Sequence, residues 1–450
     1  MCSSDLQALI RRVEPAERPV LERRVGIVLA DHLRREDEAV RLLDSASAGP
    51  TPDVEAARVL ERIYQVRGDW ERVVDALLRR ARGTDGAERV DCLANAARIR
   101  VETLRDRAGA AEIYDALLKV EPEHAEALRF RAEFLFEAGR LDEAAVLFER
   151  MEPGELARDV DDFDAQLEVA GYFHQFGEAL RRLGRKADAI LRYERALSLS
   201  PTHLPSLEAV GPMYVAAGDW TKADKIWKQL LQLMGGHGNP EQLAKIYANL
   251  GTIEYHLGQP DKARKRFTKA LELRPNDIGA LRGYGAVLYA SADWNNLLNI
   301  FNNIIYHTQD PADVVDAYMN KGFVLDARLN LPDKAAQHYE KSLAFDPAQP
   351  MAFLRLAELA LRRQDWPEAA SLADRGLQVP DGAPGARALL LLVRSVAYQA
   401  CGDSRAASDG YRSALVADPG VTSMLGGATI EDYDKVHELV RARLQASQQL

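Results

Sequence analysis

The sequence predicts an all-α solenoid of about eleven helix-turn-helix repeats. A helical ending of the type found at Lys269–Pro275 recurs at 196–201, 341–347 and 413–419. Counting back from these endings gives repeat units that start near positions 20, 54, 91, 125, 170, 204, 244, 278, 316, 350 and 388. Half of the spacings between these starts are 34 residues, a period typical of stacked helical pairs. The longer spacings predict short insertions between units.

Two positions in each unit predict how its helices pack. The eighth position is small in seven units, as at Gly177, Gly251 and Gly285, which lets the two helices of a repeat approach closely. The 24th position is aromatic in eight units, and we expect each ring to fill the seam between neighbouring units, because a ring buries a large apolar area. The eight aromatic residues are Tyr114, Phe148, Tyr193, Trp227, Phe267, Phe301, Tyr339 and Tyr411.

Glycine and aspartate mark the turn between the two helices of a unit. The fifteenth position is Gly in six units, as at Gly68, Gly139 and Gly218, and predicts a left-handed residue that ends the first helix. An aspartate directly before a tryptophan is expected to cap the second helix and to interact favourably with its dipole. The four such aspartates are Asp69, Asp219, Asp293 and Asp365.

The unit from Ala244 to Asp277 shows the pattern in full. Its marker residues are Tyr247, Leu250, Gly251, Gly258, Ala263, Phe267, Ala270 and Pro275. In these residues and in its repetition over nearly the whole chain, the sequence resembles the tetratricopeptide repeat family, in particular the long bacterial proteins of that family. The resemblance implies a right-handed superhelix in which the first helix of each unit lines a concave face.

The predicted organisation has five parts. Residues 1–19 form a partial repeat or a non-native start, which would make the chain a fragment. A first repeat array covers 20–157, and an acidic linker covers 158–169, where Asp159, Asp161, Asp162 and Asp164 cluster. A second array covers 170–421. Residues 422–450 are expected to form a C-terminal capping helix, because repeat arrays need a polar cover at their ends.

Composition and motifs argue against catalysis. The chain contains no Gly-x-x-x-x-Gly-Lys phosphate loop and no His-Glu-x-x-His zinc motif, so we predict neither a metal site nor a cofactor. The acidic run lacks the Gly and the distal Glu of a calcium loop, which favours a solvated linker. A formal net charge of −10 does not favour nucleic-acid binding. No apolar run is long enough for a membrane helix.

Candidate partner-binding residues follow from the resemblance alone. In the family, side chains at the second, fifth, sixth, ninth and twelfth positions face the groove. In three central units, the residues at these positions are Asn249, Thr252, Tyr255, Arg282, Tyr289, Asn320 and Lys321. The alternative interpretation is that they are ordinary polar residues on a solvated face. Arginine offers a fork for a carboxylate, and Gly279 and Gly283 are expected to leave room for a ligand. The lysine and asparagine clamp that some family members use for chaperone tails is absent.

Three functions remain compatible with the sequence. The leading hypothesis is a non-enzymatic scaffold that binds a protein or peptide partner, as an extended segment or a helix, in the groove. The alternative is the recognition arm of a larger enzyme, such as a glycosyltransferase or kinase. A third is an assembly factor of the cell envelope or of motility structures. We expect the protein to be cytoplasmic, or to be periplasmic or part of the cell envelope if its N-terminus is truncated. Self-association is compatible with the sequence.

Overall fold

The computed structural model describes residues 14, 17–48, 51–151, 163–236, 238–380 and 384–418. These residues contain 22 α-helices and no strands, so the predicted all-α fold is confirmed. The helices are α1 (Arg18–Asp31), α2 (Glu36–Ser47), α3 (Val54–Arg67), α4 (Trp70–Gly83), α5 (Gly86–Glu102), α6 (Arg107–Val120), α7 (Ala125–Glu137), α8 (Leu141–Arg150), α9 (Phe163–Arg182), α10 (Lys186–Leu199), α11 (Leu204–Ala217), α12 (Trp220–Met234), α13 (Pro240–His256), α14 (Pro260–Leu273), α15 (Ile278–Ala290), α16 (Trp294–His307), α17 (Pro311–Ala327), α18 (Pro332–Phe345), α19 (Pro350–Arg362), α20 (Trp366–Leu377), α21 (Pro384–Ala400) and α22 (Ser404–Ala417).

The helices follow one another as eleven pairs, and the turn inside each pair is two to four residues long. The chain divides into two compact units, Met1–Met213 and Tyr214–Leu450, with the boundary inside α11. This boundary differs from the linker predicted at 158–169. Helix α9 begins at Phe163, so the second half of that predicted linker is helical. The predicted capping helix at 422–450 and residues 1–13 lie outside the described residues.

The longer repeat spacings have a different structural basis from the one expected. Much of the extra length extends the first helix of alternate pairs, from the third pair onward, at its N-terminal end. Helices α5, α13, α17 and α21 each have 17 residues and α9 has 20. The first helices between them, such as α15 and α19, have 13 or 14. From the third pair onward, long and short first helices therefore alternate.

Small and aromatic residues interlock as the sequence predicts. A methyl group added at Gly177 would lie 2.8 Å from the ring of Tyr193, and one added at Gly251 would lie 2.9 Å from the ring of Phe267. Seven of the eight predicted aromatic residues are buried. The exception is Phe301 on α16, which is only half-buried. Its exposure marks the place where the packing leaves a pocket.

The fifteenth position is left-handed in all eleven pairs and not only in the six with glycine. The glycines have φ between 70° and 88°, as at Gly68 and Gly402. The other five residues are Arg34, Arg105, Ala292, Asn330 and Gln364, with φ between 50° and 62°. An L residue is strained in this region, so the close packing of each pair, and not the local residue, fixes the turn.

Three of the four predicted aspartate caps are formed. The side chains of Asp69, Asp219 and Asp365 each accept a hydrogen bond from the backbone N–H three residues later. Asp293 does not cap its helix. Its carboxylate accepts instead from the Asn296 side chain at 2.9 Å and from Arg264 of the preceding repeat at 3.2 Å.

Candidate functional site

A pocket of about 420 Å³ opens in the second unit between the first helices α15 and α17. Its floor is formed by the intervening helix α16. The apolar lining residues are Leu281, Gly285, Ala286, Leu297, Ile300, Phe301, Ile304 and Ala317. The volume lies within the usual range for binding pockets, of roughly 300–1,000 Å³. Because α16 contributes four large apolar side chains, the pocket offers a binding surface for an apolar group.

One end of the pocket is bridged by an ion pair. Arg282 on α15 donates through its guanidinium to the Asp313 carboxylate on α17. Asp313 is mostly buried and also accepts a hydrogen bond from the Thr308 hydroxyl at 2.8 Å. Arg282 is therefore neutralised from within the chain. The Arg282 guanidinium is therefore not an unpaired binding group for a partner's carboxylate, contrary to the expectation from the sequence.

The other end of the pocket is bridged by aromatic and cationic contacts. Arg328, which directly follows α17, donates to the Tyr289 hydroxyl at 2.8 Å. The same guanidinium lies 5.6 Å from the ring centroid of Tyr289 and 5.7 Å from that of Trp294, distances typical of cation–π contacts. Tyr289 keeps 40% of its surface exposed, so its ring edge is available at the rim.

Asn320 and Asp316 complete the rim on the α17 side. Both side chains are exposed and line the pocket. Neither makes a hydrogen bond or an ion pair with the described part of the chain. Three of the seven predicted groove residues, Arg282, Tyr289 and Asn320, are therefore brought together at one pocket.

The other four predicted residues lie outside the pocket. Asn249 and Thr252 on α13 donate to backbone carbonyls of their own helix, at 2.8 Å and 3.1 Å. Tyr255 is half-buried and its ring meets that of His256 edge-on. The ammonium of Lys321 is directed towards α16, where it donates to Asn302 at 2.6 Å. Burial, together with the charge of nearby Lys341, lowers the pKa of Lys321.

Gly283 has a structural role and does not provide space for a ligand, contrary to expectation. A methyl group added there would lie 2.5 Å from Cζ of Phe267, the buried ring of the preceding repeat. That ring thus packs closely against both Gly251 of its own repeat and Gly283 of the next. Gly285, by contrast, lines the pocket, and a methyl group there would make ordinary contacts with Leu297 and Ile300.

Sequence reasoning missed Asp313, Asp316 and the apolar floor. The family positions used for the prediction point to first helices only, whereas the floor belongs to a second helix. A usable signal was present, because Leu297, Ile300 and Ile304 recur at helical spacing on α16. These three residues are themselves buried, so the same pattern also describes an ordinary core helix.

Three tetratricopeptide repeat models match the chain, at residues 102–170 and 323–390, at 170–203, and at 206–276. Together they cover more than half of its length. The chain belongs to the tetratricopeptide repeat family.

Curated relatives of this tetratricopeptide repeat protein share only part of their length with it. It is 28% identical to the protein CTR9 homolog of Arabidopsis thaliana over 109 residues, which is 24% of this chain and 10% of that protein. It is 26% identical to the type IV pilus assembly protein PilF of Pseudomonas aeruginosa over 153 residues, which is 34% of this chain and 58% of PilF. The chain thus spans a tenth to somewhat over half of these relatives.

Among solved structures, the C-terminal part of a tetratricopeptide repeat protein from Cytophaga hutchinsonii matches with 19% identity. The match covers 58% of this chain and 98% of that one, with a TM-score of 0.43. No described helix has both the length and the hydrophobicity needed to cross a bilayer. Within the same residues, no group of three or more His, Cys, Asp or Glu side chains is placed to hold a metal ion.

Proposed function

We propose that this protein is a non-enzymatic scaffold that binds an extended segment or a helix of a partner protein across the first helices of its second unit. Tetratricopeptide repeat arrays are interaction scaffolds, and the family assignment supports that general role. The observation that carries the proposal is the pocket between α15 and α17. It combines an apolar floor with the polar rim formed by Arg282, Tyr289 and Asn320.

The neighbouring residues on α13 would extend this surface. Asn249 retains its side-chain oxygen for a partner's backbone, and Tyr255 provides a flat, rigid contact area. Thr252 lies between them on the same helix. Lys321 has no part in the proposed surface, because its ammonium is held by Asn302 on α16.

Selection of peptides from a random display library on the full-length protein tests this function. The selected peptides are then measured in solution against Tyr289→Ala/Asn320→Ala. The matched control is Tyr306→Ala/Asn303→Ala, because it removes the same side-chain types from exposed positions of α16 outside the pocket. We expect at least a tenfold loss of affinity in the first variant only. Equal binding by both variants would place the partner site elsewhere.

A role in assembling a larger protein structure is the second candidate, and the similarity to a pilus assembly protein favours it. In this case the partner segment would belong to a subunit of that structure. Deletion of the gene in its host, followed by electron microscopy of surface filaments, tests this candidate. Filaments that are unchanged in number and length would remove it.

A further inference from the structure

The charged side chains that line the pocket are Arg282, Asp313 and Asp316, and together they carry a net charge of −1. The guanidinium of Arg328 lies at the Tyr289 end, outside the lining, where it contacts the Tyr289 hydroxyl and ring. Arg282 and Asp313 neutralise each other through their ion pair. The Asp316 carboxylate has no ion-pair partner in the described residues, and it is exposed at the mouth of the pocket. On the α17 side of the mouth, the uncompensated charge is therefore that of the Asp316 carboxylate, directly beside an apolar cavity.

This charge distribution selects against an acidic ligand. A partner carboxylate at Arg282 would have to compete with Asp313, which is held in place by Thr308 as well. It would also stand near the unpaired carboxylate of Asp316. A cationic group meets the opposite situation, because it finds Asp316 free and gains attraction without breaking the existing pair.

We propose that the pocket binds a partner segment in which a large apolar side chain is flanked by Lys or Arg. The apolar side chain enters between α15 and α17 and packs on Leu297, Ile300 and Ile304. The flanking cation pairs with Asp316 at the rim. This inference rests on the proposed function and adds the chemistry of the partner to it.

The Asn320 amide lies on the same side of the mouth and has no partner among the described residues. It is free to donate to a backbone carbonyl of the bound segment and to accept from a backbone N–H. Tyr289 supplies an exposed ring edge on the opposite wall. The segment is thus fixed by one buried side chain, one ion pair and one amide.

The test uses an array of immobilised 12-residue peptides probed with the full-length protein. The peptides carry two Leu or two Ala residues, each flanked by Lys, Gln or Glu, in an otherwise constant Gly-Ser sequence. The best binders are then measured by fluorescence polarisation. We expect Leu with Lys to bind best, about fivefold more tightly than Leu with Gln, because an exposed ion pair contributes up to about that factor. The Lys preference should weaken at high salt.

Two variants separate the parts of the proposal. Asp316→Lys should reverse the preference from Lys-flanked to Glu-flanked peptides. Ala286→Leu, which places a larger side chain at an exposed lining position, should abolish the preference for Leu over Ala. An unchanged Lys preference in the first variant, or an unchanged Leu preference in the second, overturns the inference.

The result also distinguishes this inference from the proposed function. Binding that is lost in Tyr289→Ala/Asn320→Ala but keeps its flank preference in Asp316→Lys overturns the partner chemistry and leaves the scaffold function standing. Binding that is unaffected by all pocket variants overturns both. The absence of any bound peptide above background overturns the partner chemistry alone, since the pocket then takes no peptide of this composition, and the random-library selection still decides the scaffold function.

Discussion

Replacing Gly283 with Ala tests the packing that joins two neighbouring repeats. Gly283 on α15 faces the ring of Phe267 on α14, which is 1% exposed. An added methyl group would lie 2.5 Å from Cζ and 2.6 Å from Cε1 of that ring. The ring has little room to move, because it also packs against Gly251 on α13, where an added methyl group would lie 2.9 Å from it. We therefore expect Gly283→Ala to separate α15 from α14.

The magnitude follows from two opposing contributions. Overpacking a buried contact by one methyl group costs about 1–3 kcal/mol. The better helix propensity of alanine offsets about 0.5–1 kcal/mol of this cost. Because a contact of 2.5 Å is severe, we place the overpacking cost in the upper part of that range, at about 2–3 kcal/mol. The net loss of stability is then about 1–2 kcal/mol, located at the junction of the two repeats. A local loss of this size increases the population of opened states by roughly 5- to 30-fold.

Amide hydrogen exchange measures this effect locally, which matters because a long repeat array does not unfold in one step. We expect peptides covering 260–290 to exchange about 5- to 30-fold faster in Gly283→Ala. Gly171→Ala is the control, because a methyl group there meets no atom within 4 Å and should stabilise its helix. In Gly283→Ala/Phe267→Leu the smaller side chain should relieve the clash and reduce the effect of the alanine. Unchanged exchange at 260–290 in the single variant would refute the proposed interlock.

Three further predictions concern turn strain, pH and a buried ion pair. Ala292→Gly should stabilise its repeat by about 0.5–1 kcal/mol, because alanine is strained at a φ of 56°. Gly258→Ala should destabilise its own repeat by a similar amount, and local hydrogen exchange measures both effects. Burial lowers the pKa of His174 from 6.5 to about 4, so the folded state resists its protonation. The local stability should fall as the pH drops from about 6.5 towards 4, and hydrogen exchange in His174→Gln should show a weaker pH dependence. Arg266→Met should cost about 3–5 kcal/mol of local stability at pH 7, because it leaves the buried carboxylate of Glu254 unpaired, and Arg266→Met/Glu254→Gln should recover most of that loss in the same exchange measurement.

The fold could be predicted because its determinants recur in sequence. A small residue at the eighth position recurs in seven units and a ring sixteen residues later recurs in eight, and this repetition predicts the helix pairs. The conformation at position fifteen shows the limit of reading residues one at a time. The glycine at position 258 predicts a left-handed turn, whereas Arg105 and Gln364 do not. All three residues nevertheless have a positive φ. Only the neighbouring helices, acting together, fix the turn in the absence of glycine.

The site could be predicted only in part. A repeat position determines where on the helix a residue lies, but it does not determine which residues its side chain contacts. Arg282 starts on the expected face, but its partner Asp313 belongs to the next repeat, 31 residues away. Lys321 follows Asn320 directly, and yet its long chain reaches Asn302 on α16 while Asn320 stays at the pocket. Contacts between repeats depend on the separation of α15 and α17, which no single unit encodes. Since those contacts neutralise Arg282 and leave Asp316 without an ion-pair partner among the described residues, the partner chemistry that we propose is cationic, whereas an unpaired Arg282 would favour a carboxylate.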